Sequence, residues 1–350
     1  MPPPDWADDG NGGYLYSPPS AVFNGVSADT FQVSDISVLQ IDEIKDLSKY
    51  HFSSFDPTVM SGFGKDQVAN FDPTAIGGFS KEHFAAFDPT AMAGFDHLHV
   101  AAFDPMAVAG FDEKHIAAFD PTAMAGFKAD HVAALDAQAI AGLDRDQFAA
   151  FNPTAMSGFN ADHFAAIDYG YMASLGRDHV AAFDTAAMAG FDPEHVAAFD
   201  PMAVAGFDHT HFAAFDPMAV AGFDPEHVAA FVPTAVAGFD QMHVAAFDPM
   251  AVSGFDKEHL AAFAPTAMEG FNPLHVAAFD AEAISGVKGQ TLKELDPESF
   301  AAVTPDQLAK MAPDAAAAVK NWVLPKDDII RWEGGLRLSL IHISEPTRPY

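Results

Sequence analysis

From Phe55 to Ala278 the chain repeats a sixteen-residue unit fourteen times without an insertion or deletion. Each unit is two octads of one grammar, as in FDPTAMAG followed by FDHLHVAA from Phe87 to Ala102. Position 1 is Phe, with Leu135, Leu143, Ile167 and Leu175 as exceptions. Position 2 is usually Asp and position 3 often Pro. Position 6 is Met, Val, Ile, Leu or Phe, and positions 7 and 8 are small. The halves differ in two places. The first ends in Gly, with Ser174 the exception, while the second usually ends in Ala and carries His at position 5. A chain this periodic grows in one dimension by stacking units, so the usual length-to-domain rule does not apply.

The octad predicts a short helix. Period-two alternation, which a strand requires, is missing from DPEHVAAF. Asp at position 2 suits an N-cap and Pro at position 3 the first helical residue, where its missing N–H costs nothing. Position 5 or 6 and the next position 1 then share a face. One or two turns cannot stand alone, so stability must come from stacking. The sixteen-residue identity period predicts two octads per layer. At roughly 9 Å between packed helices, about fifteen such layers would make a rod near 140 Å. The expected fold is an all-α solenoid of very short helices, with a β-solenoid as the alternative. Each buried Phe should contribute about 1.5–3 kcal/mol. The Gly row predicts close approach of neighbouring backbones, and the exchange of Met with Val and Ile at position 6 predicts core filling.

This division sets the boundaries. Residues 1–22, rich in Pro, Gly and Asp, read as a disordered lead-in. Residues 23–54 and 287–323 hold looser octads, expected of capping repeats, around the regular array 55–286. Residues 324–350 form a tail, within which 338–348 reads LSLIHISEPTR and resembles a translated sequencing adapter. It is set aside as an artefact, with the expectation that the natural C-terminus is missing.

The degenerate end LDPESFAAVTPDQLAKMAPDAAAA resembles the short Leu-Thr-Pro-type octads of bacterial surface and secreted proteins, while the Phe-rich centre departs from them. The resemblance implies a repetitive scaffold, with an extracellular or cell-surface location favoured. It carries no functional residue across.

Composition narrows the function. With 49 acidic against 17 basic residues and a formal charge of −32, nucleic-acid phosphates and anionic membranes would be repelled. No apolar run approaches the roughly 20 residues of a membrane span. The N-terminus lacks the basic start and apolar stretch of a secretory signal peptide. Absence of cysteine removes disulfides and thiolate chemistry. No nucleophile elbow, zinc-protease helix, P-loop or dinucleotide fingerprint is found, so neither an enzyme nor a bound cofactor is expected. The Asp row lacks both the EF-hand loop and the calcium-binding nonapeptide, which leaves the aspartates as caps. The partner expected of such a surface is a protein or a surface polymer.

One feature invites a chemical reading. His51, His83, His99, His115, His131, His163, His179, His195, His211, His227, His243, His259 and His275 share one octad position, and Gln67 and Gln147 fill the two gaps. Were a layer one sixteen-residue unit, these side chains would form a row down one side, a candidate ladder for transition metals. A second reading is a pH sensor, since protonating all 16 histidines moves the formal charge from −32 to −16. The third is structural: Asp with His three residues later has the spacing of a capping box, which Asp144 with Gln147 and Thr304 with Gln307 also show. Gln can make that bond but is a poor metal ligand, so capping is the leading expectation. The overall expectation is a structural or interaction scaffold, with the histidine metal array as the alternative.

Overall fold

Each octad folds as one short helix, and the two halves of the unit fold differently. First-half octads form 3-10 turns such as Pro89–Gly94, with the α-helix Ala137–Ile140 as an exception. Second-half octads form α-helices of about one and a half turns, such as His97–Ala101 and Pro225–Ala230. Asp88 caps its turn by accepting from the Thr90 N–H at 2.9 Å and the Thr90 hydroxyl at 2.7 Å. Position 1 is extended, with Phe87 at φ −62°, ψ 147° and Phe95 at φ −77°, ψ 128°. The chain therefore turns a corner at every Phe. The computed structural model describes residues 30–323, with side chains to 319, and two three-residue strands near the N-terminus. Those strands, Trp6–Asp8 and Tyr14–Tyr16, pair antiparallel within the segment expected to be disordered. The rest of the lead-in, the capping residues 23–29 and the tail 324–350 with its adapter-like stretch lie outside the described residues.

Stacking departs from the expected layer. The helix Lys65–Val68 packs on Pro89–Gly94, and His97–Ala101 packs on Pro121–Gly126. Each octad therefore lies on the octad three places further along the chain. The Phe rings follow the same count: Phe71 and Phe95 are 6.2 Å apart, as are Phe95 and Phe119. Neighbouring octads meet edge-on, with Phe95 and Phe103 at 5.2 Å and 86°. One turn thus has three sides, and position 1 from each side points a ring into the middle. The identity period counts which residues recur, whereas the stacking period counts how many sides close a ring around the core. Two octads and three octads need not agree, and here they do not. Fourteen units of two octads make about nine turns of three, which shortens the expected rod to roughly 85 Å.

Three being odd, a 3-10 octad rests on an α octad through nearly the whole array. The Gly row serves this contact. A Cβ on Gly126 would stand 2.2 Å from the His97 carbonyl oxygen, and one on Gly222 would stand 2.1 Å from that of Pro193. The 3-10 turn ends directly on the first turn of the helix beneath it, and only a bare backbone fits. Positions 1 and 6 are buried throughout the regular array, and a single contiguous core runs from Phe31 to Val319. The eleven-residue helix Pro313–Val323 packs against Gly289–Leu292 of the preceding turn.

Candidate functional site

The histidines occupy one local setting. Each stands at the third position of its α-helix, and in all but His195, where the Asp192 carboxylate takes that place, its Nδ1 faces the backbone N–H of the cap residue. In His99 that bond from Asp96 is 3.1 Å, and in His227 the bond from Asp224 is 3.3 Å. Nε2 reaches the turn below. It lies between 2.8 and 3.2 Å from the carbonyl oxygen of the position-1 residue 28 residues earlier, in every case from His83–Phe55 to His275–Phe247. An amide N–H only donates and a carbonyl only accepts, so where the cap has no carboxylate Nδ1 is the acceptor and Nε2 carries the proton. The imidazole is a rung: it caps its own helix and satisfies a buried corner carbonyl on the neighbouring turn.

Gln does both jobs with its amide. Gln147 accepts from the Asp144 N–H at 2.9 Å and donates to the carbonyls of Ile116 and Phe119 at 2.9 and 2.8 Å. Gln307 repeats this near the C-terminal end, and the Ser299 hydroxyl donates to the Phe271 carbonyl at 2.8 Å. The capping half of this arrangement follows from the Asp-x-x-His spacing. The inter-turn half could not be anticipated, because its acceptor is identified only once the three-octad stacking is known.

The expected histidine row does not form. With three octads to a turn, histidines two octads apart fall on different sides, and one side repeats a histidine only at every sixth octad. His83, His99, His115, His131, His163, His179, His195, His211, His227, His243, His259 and His275 are therefore distributed around the core in three sets. Twelve of the thirteen helix-capping histidines are buried, His179 being half-buried. Both ring nitrogens are engaged, and among the described residues no group of three His, Asp or Glu is placed to hold a metal ion. The Asp row is likewise occupied, its carboxylates accepting from the N–H groups they cap.

The caps nevertheless fall into two electrostatic classes. In seven helices an Asp Oδ1 sits 2.7–2.9 Å from the Nδ1 of His99, His115, His195, His211, His227, His243 or His259. Burial pulls the Asp208 carboxyl upward, but the Thr210 hydroxyl, the His211 N–H and the His211 ring outweigh it and hold it at about 2. The other six caps are Ser48, Ser80, Lys128, Asn160, Gly176 and Asn272, none of which offers a carboxylate. Burial pushes His51, His131, His163 and His275, all in this second class, below the ordinary histidine value.

The surface offers little else. A shallow, open cleft of about 550 Å³ lies between Ala173–Arg177 and Asp200–Ala205. Among the described residues, no helix is long and apolar enough to cross a membrane. No protein-family model matches the chain, and no curated protein matches it, so a functional reading rests on the residues themselves.

Proposed function

We propose that the chain is a non-catalytic structural scaffold or spacer: a stiff, acidic rod that holds its ends apart and offers a regular surface to a protein or polymer partner. The observation that supports this most is the unbroken core from Phe31 to Val319, with each turn tied to the next by the same buried rung. Such a column transmits position along its length, because every turn is held by its neighbours. Its polar atoms are spent on that task, which argues for support over chemistry. Its charge fits the same reading. One side presents exposed carboxylates in eight successive turns, at Asp72, Asp96, Asp120, Asp144, Asp168, Asp192, Asp216 and Asp240, which suits a cationic partner better than an anionic one. The resemblance of the degenerate end to bacterial surface and secreted octads agrees with a role outside the cell.

The test is a length series in solution. Deleting or duplicating three consecutive units within 191–286 of the full chain removes or adds two whole turns. Both periods are then restored, so the core should survive. Small-angle scattering should show a maximum dimension changed by roughly 18 Å per step at constant cross-section. A dimension that ignores the number of turns, or a collapsed particle, would remove the spacer reading.

A further inference from the structure

Two kinds of departure from the octad grammar gather at the centre, the loss of Phe at position 1 and the loss of Gly at the end of the first half. All four replacements of Phe at position 1 lie between Phe127 and Ala182: Leu135, Leu143, Ile167 and Leu175. The one loss of Gly, Ser174, lies there too, and it borders the cleft lined by Leu175, Arg177 and Asp200. His179 is the only rung histidine that is not buried. The same stretch holds four successive second-half octads with no Asp–His pair: Lys128 with His131, Asp144 with Gln147, Asn160 with His163, and Gly176 with His179. The next five α octads, from Asp192 to His259, all carry the pair.

We propose that, away from the end turns, mild acid opens the solenoid first at Phe127–Ala182, a proton-operated joint beside the Asp-paired stretch 191–262, which stays closed. The chemistry follows from the rung. A second proton on the ring must go to Nδ1, which already faces the cap N–H at 3.2 Å in His131 and His179 and 3.3 Å in His163. In an Asp-capped helix the new N–H points at a carboxylate oxygen, so the bond from the backbone is exchanged for an ion pair. At the centre it meets a lysine stem, a neutral amide or a glycine. There the new N–H gains no ion pair while the backbone N–H still points at it, so the charged ring is driven to leave its slot, which breaks the bond to the turn below.

The surroundings do not supply the missing charge. His131 faces Lys128 and Asp130 on its own octad and Asp104 on the turn below, and His163 faces Asp162 and Asp136. Burial outweighs these carboxylates and keeps both rings below the ordinary 6.5. His179 has Arg177 and Asp178 beside it, and Asp200 heads the octad above. The elements packed on these three helices, Val108–Gly110, Ala137–Ile140, Pro153–Gly158, Thr185–Gly190 and Ala203–Gly206, carry no ionisable side chain. The sign is that of a lowered histidine: its contribution is complete above pH 6.5 and is lost as pH falls below that value. The capping aspartates are held below their ordinary 3.8, so the flanking pairs persist through the same interval. The terminal caps Ser48, Ser80 and Asn272 also lack carboxylates, but they lie in or near the end turns, where fraying is ordinary.

Hydrogen–deuterium exchange of the full chain, corrected for intrinsic rates, decides the matter at about pH 7 and about pH 5. Peptides from 127–182 should lose protection by roughly an order of magnitude at the lower pH while 191–262 stays within about two-fold. A combined variant, His131→Gln, His163→Gln and His179→Gln, uses the residue that already fills this slot at Gln147. It should keep its protection at about pH 7 and lose the acid response. Asn160→Asp with Gly176→Asp, which supplies the missing carboxylates, should delay opening to lower pH. Loss that is uniform along the chain, that begins in 191–262, or that persists in the Gln variant would overturn the proposal.

Discussion

The turns from Phe191 to Ala262 and those from Phe127 to Ala182 share a backbone plan and differ in how strictly they keep the octad grammar. The first stretch has Phe at every position 1, Gly at the end of every 3-10 octad and an Asp–His pair in every α octad. The second relaxes all three. Both stack three octads to the turn and both keep a buried core, so the grammar is stricter than the fold requires. Closing the ring takes an apolar residue at each corner and small residues where turns touch. Phe, Gly and the Asp–His pair add interlock, closeness and resistance to acid. A repeat protein can therefore be tuned turn by turn while its architecture is left alone.

Substitutions on the two sides of that comparison should separate these contributions. The largest effect is expected in the aromatic column. Phe223→Ala removes a ring that meets Phe231 at 4.9 Å and 86° and should cost roughly 3–5 kcal/mol by chemical denaturation. Leu143→Ala should fall toward the lower end of the roughly 2–5 kcal/mol range, and equal losses would deny the aromatic column any special weight. Gly222→Ala forces a Cβ against the Pro193 carbonyl oxygen and should cost about 1–3 kcal/mol. Ser174→Gly, where the chain already accommodates a side chain, should move the midpoint little, and a large shift there would show that the central contact is as tight as the rest. The smallest contrast concerns the rung. His227→Ala strands the Asp224 N–H and the buried Phe199 carbonyl and should cost about 1–3 kcal/mol. His227→Gln should cost less than about 1 kcal/mol, as Gln147 already demonstrates the fit, and a Gln variant as damaged as the Ala one would mean that the ring itself is required.

Much of this is legible in the residues. Asp at position 2, Pro at position 3 and a reaching side chain at position 5 spell a capped helix, and the structure contains that helix octad after octad in α and 3-10 forms. Gly at the end of the first octad signals close backbone approach, which Gly126 and Gly222 make literal. The exchange of Met92, Val108 and Ile76 at position 6 signals core filling, and all three are fully buried. What stays hidden is every relation across three octads. Identity repeats at two octads, and the eye takes that as the layer. The three-sided turn depends on the corner angle at each Phe, which no composition or spacing encodes. With the layer misjudged, the histidines look like one row, and the carbonyl that each one binds is out of sight. Met106, Met202 and Met250 are exposed at a position that is polar in most octads, and nothing in the fold explains them.

The disagreement between the two periods also bears on how such a gene can lengthen. Copying one unit adds two sides of a three-sided turn, so everything beyond the insertion is swung by two-thirds of a revolution. A patch that once faced one way then faces another, although no residue in it has changed. Three copies add two whole turns and leave every azimuth as it was. Duplication here steers as well as extends: the number of units, taken in threes, sets the direction in which the far end of the molecule points.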